Sequence, residues 1–249
     1  MEYTLNYTYA KSLTDSSGNY AVANTSFNGL SVQNGYDLNA DYGPSAMDVR
    51  HSMNFVGVYE LPFGHGRTYG GSANGFLDAA LGGWKIAATA ILYSGLPVTI
   101  FGPNNSNTNN GGWGFSRANQ YRPMVIRNRS INNWWGTDPS AQPCIPSTLN
   151  PTGADNGICA YGSAGQFAFG SAHNSTERAP GYRQIDTSLF KDFHVWREQV
   201  VGFRADFFNI FNIASYGNPD NGITDNSFGL ITNVRSPARQ IQLSLHYIF

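Results

Sequence analysis

Three observations predict an all-β chain. Apolar residues recur with a period of two in several segments, the connections between those segments alternate between long and short, and charge is scarce. Together they predict an antiparallel up-and-down transmembrane β-barrel segment of about six strands, an incomplete barrel. Charged residues make up 12 % of the 249, against roughly 25 % in typical soluble proteins, so the Lys/Glu surface of a cytosolic domain is missing. The net charge of −1 gives no reason to expect nucleic acid as a partner. No apolar run reaches the ~18 residues of a transmembrane helix. The longest, Ile86 to Leu96, is interrupted by Thr89, Ser94 and Gly95. That leaves a membrane barrel open, because its strands alternate and score as polar overall.

The first strand is predicted over residues 2–11, with Tyr3, Leu5, Tyr7 and Tyr9 on one side and Glu2, Thr4, Asn6 and Thr8 on the other. Residues 12–47 are rich in Ser, Asn and Gly, carry no period and read as a long loop. The second strand covers 48–61. Met53, Phe55, Tyr59 and Leu61 share a side, but Val56 and Val58 make the other side apolar too and leave its facing open. Pro62 ends it, since proline cannot donate to a ladder. A medium connection over 65–82 holds a short helical turn from Phe76 to Leu81.

The third strand runs over 84–94 with Trp84, Ile86, Ala88, Ala90 and Leu92 on one side, and Val98 to Phe101 prolong it past Ser94-Gly95-Leu96-Pro97. Residues 102–181 then read as a very long irregular region. Such a segment argues against a compact domain but suits an external loop of a barrel. The fourth strand covers 183–191, a short turn 192–197, and the fifth strand 199–209, where Val201, Phe203, Ala205 and Phe207 oppose Gly202, Arg204 and Asp206. A loop over 210–238 leads to the last strand, 239–249. There Ile241, Leu243, Leu245, Tyr247 and Phe249 fall on one side and Gln240, Gln242, Ser244 and His246 on the other. Eleven residues at roughly 3.3 Å each, tilted by about 45°, span roughly 25 Å, the height of an apolar membrane band.

The connections thus run long, medium, very long, short, long. Outer-membrane barrels put long loops outside and short turns in the periplasm. With the last strand ending in the periplasm, 12–47, 102–181 and 210–238 are external loops of one barrel domain spanning 1–249. Trp84, Trp196 and Phe249 then lie near the periplasmic interface, and Tyr9 and Tyr93 near the outer one. The polar sides face the lumen. A turn centred near Val195 sets Asp186 opposite Arg204 as a lumen pair. Cys144 and Cys159 lie in a Pro/Asn/Gly-rich stretch and read as a loop disulfide in an oxidising compartment, with two free thiols as the alternative.

No chemistry-bearing motif emerges. Tyr161-Gly162-Ser163-Ala164-Gly165 has Tyr where a serine-hydrolase elbow needs its first Gly. The acids Asp138, Asp155, Asp220 and Asp225 lie in loops with nothing to fix the spacing of a hydrolase pair and read as solvated charges. The His residues are scattered and no Cys-x-x-Cys occurs. The expectation is no enzyme, no cofactor and no metal. Trp113, Trp134 and Trp135 either stack on a ligand or form the small core that lets a long loop fold, and the second reading is preferred.

Several segments carry a family likeness. They are Asp41-Tyr42-Gly43-Pro44 with Asp48-Val49-Arg50-His51, Tyr59-Glu60-Leu61-Pro62-Phe63-Gly64, Gly82-Gly83-Trp84 and Ser94-Gly95-Leu96-Pro97. Gly181-Tyr182-Arg183-Gln184-Ile185-Asp186, Phe207-Phe208-Asn209-Ile210-Phe211-Asn212 and Pro237-Ala238-Arg239-Gln240-Ile241-Gln242 continue the series. In this order they resemble the C-terminal barrel region of TonB-dependent outer-membrane receptors, in particular the Oar-like group. The resemblance implies a barrel of about 22 strands, an N-terminal plug, a box that binds TonB, and energised nutrient uptake in the outer membrane of a Gram-negative-type bacterium. The chain departs from that pattern in having neither plug, TonB box nor signal peptide, so it is expected to be a fragment, the last quarter of a barrel. The final strand resembles the C-terminal strand of bacterial outer-membrane proteins, whose last Phe belongs to the barrel-assembly signal. That assigns Ile241, Leu243, Leu245, Tyr247 and Phe249 to recognition by the assembly machinery.

The expected function is therefore a segment of an outer-membrane receptor/transporter barrel for TonB-dependent ligand uptake. Its partners would be membrane lipid, the assembly machinery, the remaining strands and plug, and TonB through an N-terminal region. The alternative is a secreted soluble β-protein that binds glycans or proteins through aromatic loops. The two differ in whether the apolar strand sides point outward to lipid or inward to a core.

Overall fold

The computed structural model describes residues 1–15, 33–34, 36–71, 75–103, 116–148 and 152–249. Six long strands form one sheet: β1 (Glu2–Tyr9), β2 (His51–Glu60), β3 (Lys85–Tyr93), β4 (Tyr182–Trp196), β5 (Gln199–Phe208) and β6 (Gln240–Ile248). Every neighbouring pair is antiparallel, and their order in space is their order in sequence. The sheet stays open, with β1 and β6 as its edges.

Register aligns the apolar positions across all six strands. Leu5 stands opposite Phe55, Phe55 opposite Ala90, and Ala90 opposite Ile185. Thr187 stands opposite Phe207, and Phe207 opposite Ile241. The facing of the second strand, open in the sequence, follows from this: Val56 and Val58 pair with Thr4 and Glu2 on the polar side. The apolar side is half-buried on the inner strands, as at Phe55, Ile86 and Phe203, and open on the edge strand β6. Leu243 is 66 % and Leu245 72 % exposed, and among the described residues no second sheet covers them. A soluble sandwich would bury such positions between two sheets.

Burial is found in the long connections instead. Val98, Ile100, Ala118, Trp135, Ala141, Ala160, Tyr161, Ala172, Ala179 and Ile223 form one cluster, and none of them lies in the six strands. The region over 102–181, expected to be irregular, carries short ladders. Phe101–Gly102 pairs with Ser116–Arg117, and Asn119–Gln120 with Tyr161–Gly162. Pro97–Val98 pairs with Glu177–Arg178. The expected continuation of the third strand through Val98 to Phe101 therefore does not occur. The chain leaves the sheet at Gly95, where a Cβ would sit 1.6 Å from the Ala179 carbonyl oxygen, and it then pairs with the returning segment. The Asn104 to Asn110 tract and Trp113 lie outside the described residues.

β4 runs to Trp196 rather than Lys191. Its last residues still alternate, Phe193 on the apolar side and His194 on the polar one, so the ladder continues. A register shift between His194 and Trp196 and a left-handed Arg197 (φ 51°) close the hairpin. One short helix, α1 (Gly75–Leu81), lies in the connection between β2 and β3.

Candidate functional site

The polar side of the sheet carries a hydrogen-bonded row on β4 and β5. Tyr182 donates to Gln184, and Gln184 Nε2 donates to both Asp186 oxygens at 3.2 and 3.0 Å. Ser188 donates to Asp206, whose carboxylate receives Arg204 Nε at 2.8 and 2.9 Å. Asp186 and Arg204 share this side but are not a pair. The hairpin turns about two residues later than a turn at Val195 would, so Arg204 stands opposite Phe190. Asp186 instead accepts the Asn209 amide at 2.8 Å. Near the long-loop end Tyr93 and Tyr182 stack at 5.0 Å, and Arg235 lies 5.8 Å from each ring.

Asn209 is almost fully buried with φ 50°, a conformation asparagine tolerates better than most residues. Its side chain accepts from the Ile213 amide at 2.8 Å and donates to the Ile213 and Pro237 carbonyls at 3.0 and 2.9 Å. It thereby staples both ends of the β5–β6 connection to the top of the sheet. This is a structural reason for the Phe-Phe-Asn segment that no periodicity shows.

Two buried acids join the first long connection to the second. Asp41 takes the guanidinium of Arg117, which also reaches Asn174 at 3.1 Å and the Ala40 carbonyl at 3.1 Å. Asp48 takes Arg178, Arg50 at 2.8 Å and the Ser12 amide at 2.7 Å. Burial opposes ionisation of Asp48, but the hydrogen bonds from Arg178, Arg50 and Ser12 outweigh it and lower its pKa to about 2. Sequence reasoning missed Arg117 and Arg178 altogether, because their partners lie far along the chain.

The same body is bolted by a disulfide. Cys144 and Cys159 are bonded with a Cα separation of 5.7 Å. Trp135 is fully buried and donates Nε1 to the Asp220 carbonyl at 3.1 Å. Trp134 packs on the cluster with Arg129 4.7 Å from its ring. Both tryptophans serve the core.

Beside the disulfide lies an open cleft of about 800 Å³, with Asn133, Gln142, Asn156 and Asn226 among its amides and Ile158 and Phe228 among its apolar walls. Asp155 in its wall is held below its ordinary pKa, chiefly by Arg122, which grips it at 2.8 and 2.9 Å. Asp225, also in the wall, is held above its ordinary value by burial and by neighbouring Asp220. Asp138 accepts the Ser140 amide at 3.0 Å and caps a turn. The cleft can bind a ligand through amide donors and acceptors over an apolar floor.

On the other side of the sheet Ile241, Leu243, Leu245 and Tyr247 form an exposed stripe, and Tyr247 stacks on Phe249 at 5.9 Å. Leu245 neighbours Phe203, and Leu243 neighbours Ala205. An exposed stripe of this length, in register with apolar positions on every other strand, is what a lipid-facing wall requires.

Residues 1–242 match the family model described as an outer membrane beta barrel domain. No curated protein and no solved structure matches the chain significantly. With an open antiparallel wall, an uncovered apolar side and a family match over nearly its whole length, this chain belongs to the outer membrane beta barrel domain family, whose place is the bacterial outer membrane.

Proposed function

We propose that the chain forms part of the wall and the external loops of an outer-membrane receptor/transporter barrel that takes up ligand with energy relayed by TonB. The observation that carries this reading is the folded body built from the long connections. It has its own core, a disulfide and a cleft of about 800 Å³ at the outer end of the wall. A fixed cleft at the mouth of a barrel suits capture of a dilute ligand, since binding then orders no loop. The seven segments similar to Oar-like receptors point the same way.

The edges β1 and β6 need partner strands. In this reading the remaining strands of the receptor supply them, its plug fills the lumen, and TonB engages an N-terminal region of the full-length protein. β6 is the strand that the assembly machinery captures by main-chain pairing, with Ile241, Leu243, Leu245, Tyr247 and Phe249 already matched to lipid. The ligand is bound and passed on, so the reading calls on no catalytic residue and no cofactor.

The test compares cells carrying the gene with cells lacking it. Loss of small molecules from the medium is followed by mass spectrometry, with and without a protonophore. At least one compound should disappear only in the gene-carrying cells and only without the protonophore. Phe228→Ala, in the cleft wall, should slow that loss while leaving folded barrel unchanged. Identical depletion by both strains, with folded barrel present in the membrane, would sink the reading. Deleting Phe249 should lower the amount of heat-modifiable barrel in the outer membrane.

A further inference from the structure

The helix α1 is anomalous for a short connection. Its sequence, Gly75-Phe76-Leu77-Asp78-Ala79-Ala80-Leu81, has one polar side chain, yet none of its residues is buried. Phe76 is 82 %, Leu77 47 % and Leu81 58 % exposed. At about 100° per residue, Phe76, Ala80, Leu77 and Leu81 fall within an arc of about 140°, and Asp78 falls outside it. One turn or two of helix with no buried face is unstable alone in water. Among the described residues, none of the helix positions that form this stripe is buried.

The fastening of α1 places it on the sheet. Lys191 Nζ donates to the Ala79 carbonyl and lies 3.5 Å from that of Asp78, while Trp84 Nε1 donates to the Ala80 carbonyl at 2.9 Å. A cation and an indole N–H thus satisfy the carbonyl end of the helix. Asp78 turns back and accepts the His65 amide. Trp84 and Lys191 stand on the apolar side of the sheet. The Trp84 ring meets Phe193 at 6.4 Å and Phe203 at 6.0 Å, and Lys191 Nζ lies 4.8 Å from the Phe193 ring. The helix therefore hangs on the apolar side of the wall, at the end of the short turns, which the reading proposed above places in the periplasm. Its fastenings are Trp84, beside β3, and Lys191 of β4, the two central strands of the sheet, away from the edges β1 and β6 where further strands would add.

We propose that α1 is an interfacial anchor: a helix outside the barrel wall that lies in the periplasmic leaflet, with Phe76, Leu77 and Leu81 in the upper acyl region. Its stripe continues the apolar side of the sheet, and Trp84, Phe193 and Phe203 form the aromatic band beside it. Lys191, only 4 % exposed, is the fixed post that ties helix to wall at that depth. A periplasmic protein seated on the same stripe is the competing occupant.

The experiment uses the full-length barrel reconstituted in vesicles of phosphatidylethanolamine and phosphatidylglycerol. An environment-sensitive fluorophore is placed on Phe76→Cys, and on Gly75→Cys as a second site in case the first fails to fold. Nitroxide lipids labelled either high on the acyl chain or at its end report depth. Quenching of about twofold by the shallow label, and far less by the deep one, is expected for a helix roughly 5–10 Å into the boundary. Leu77→Ser with Leu81→Ser should remove that quenching while the barrel stays heat-modifiable. A fluorophore in water that neither lipid quenches overturns the proposal. So does one shielded only after a periplasmic extract is added, which would assign the stripe to a protein.

Discussion

The wall and the body built from the long connections of this chain solve the same problem in opposite ways. In the body, apolar side chains turn inward: Ile100, Trp135 and Ile223 are almost wholly hidden, and arginines reach in to meet Asp41 and Asp48. In the wall, Ala205 is the only buried hydrophobic residue among the described residues of the six strands, and Leu243 and Leu245 stand open. The body is held by its own packing, as any water-soluble fold is. The wall is held by its ladder of main-chain hydrogen bonds and by a solvent that is itself apolar. The two regions therefore answer to different substitutions, and that difference is measurable.

The largest expected effect is in the body. Trp135→Ala empties the centre of its cluster and should cost about 3–5 kcal/mol there. Limited proteolysis of intact cells should then cut the external loops, while the barrel runs as a folded band on unheated gels. Loss of the folded band as well would mean that the two regions fold as one. Leu245→Arg tests the other region. A charge near the midplane of the lipid face costs roughly 2–4 kcal/mol, so folded barrel should fall while any body that is displayed keeps its protease resistance. An unchanged barrel level would show that this side does not meet lipid.

The disulfide sharpens the contrast. Its loop has a sequence separation of 15, which corresponds to about 3 kcal/mol in the chain-entropy model. Cys144→Ser with Cys159→Ser should loosen hydrogen exchange around Tyr161 and Trp135 and leave the strands protected. The smallest effect is acid sensitivity. The pKa of Asp48 is depressed in the folded state, so its stabilisation is complete above the ordinary carboxylate pKa. It is lost as pH falls from about 4 toward about 2, a matter of about 2 kcal/mol. Asp48→Asn should flatten that acid transition in the body's protease resistance. An identical acid profile in the variant would place the sensitive group elsewhere.

How much could be read in advance follows the same division. The six strands, the sides of five of them and their sequential order were legible, because a period of two is a local property and a lipid wall leaves it undiluted by second contacts. The side of Val56 was not legible, since apolar residues occupy both sides of that segment, and only pairing with Thr4 decided it. The partner of Arg204 was misread for a related reason. Phe193 and His194 still alternate, so nothing local shows that the hairpin turns beyond them.

By itself, then, the sequence determined a wall: six strands in order, the apolar and polar sides of most of them, and that long connections gather at one end. Tertiary structure decided what those connections become. Asp48 meets Arg178 across 130 residues, and Asp41 meets Arg117 across 76. It also decided that Trp135 is core and that α1 hangs from Lys191 on the apolar side of the wall. Periodicity is written in neighbouring residues, whereas an ion pair or a buried indole depends on loops closing over long separations, which no local pattern records.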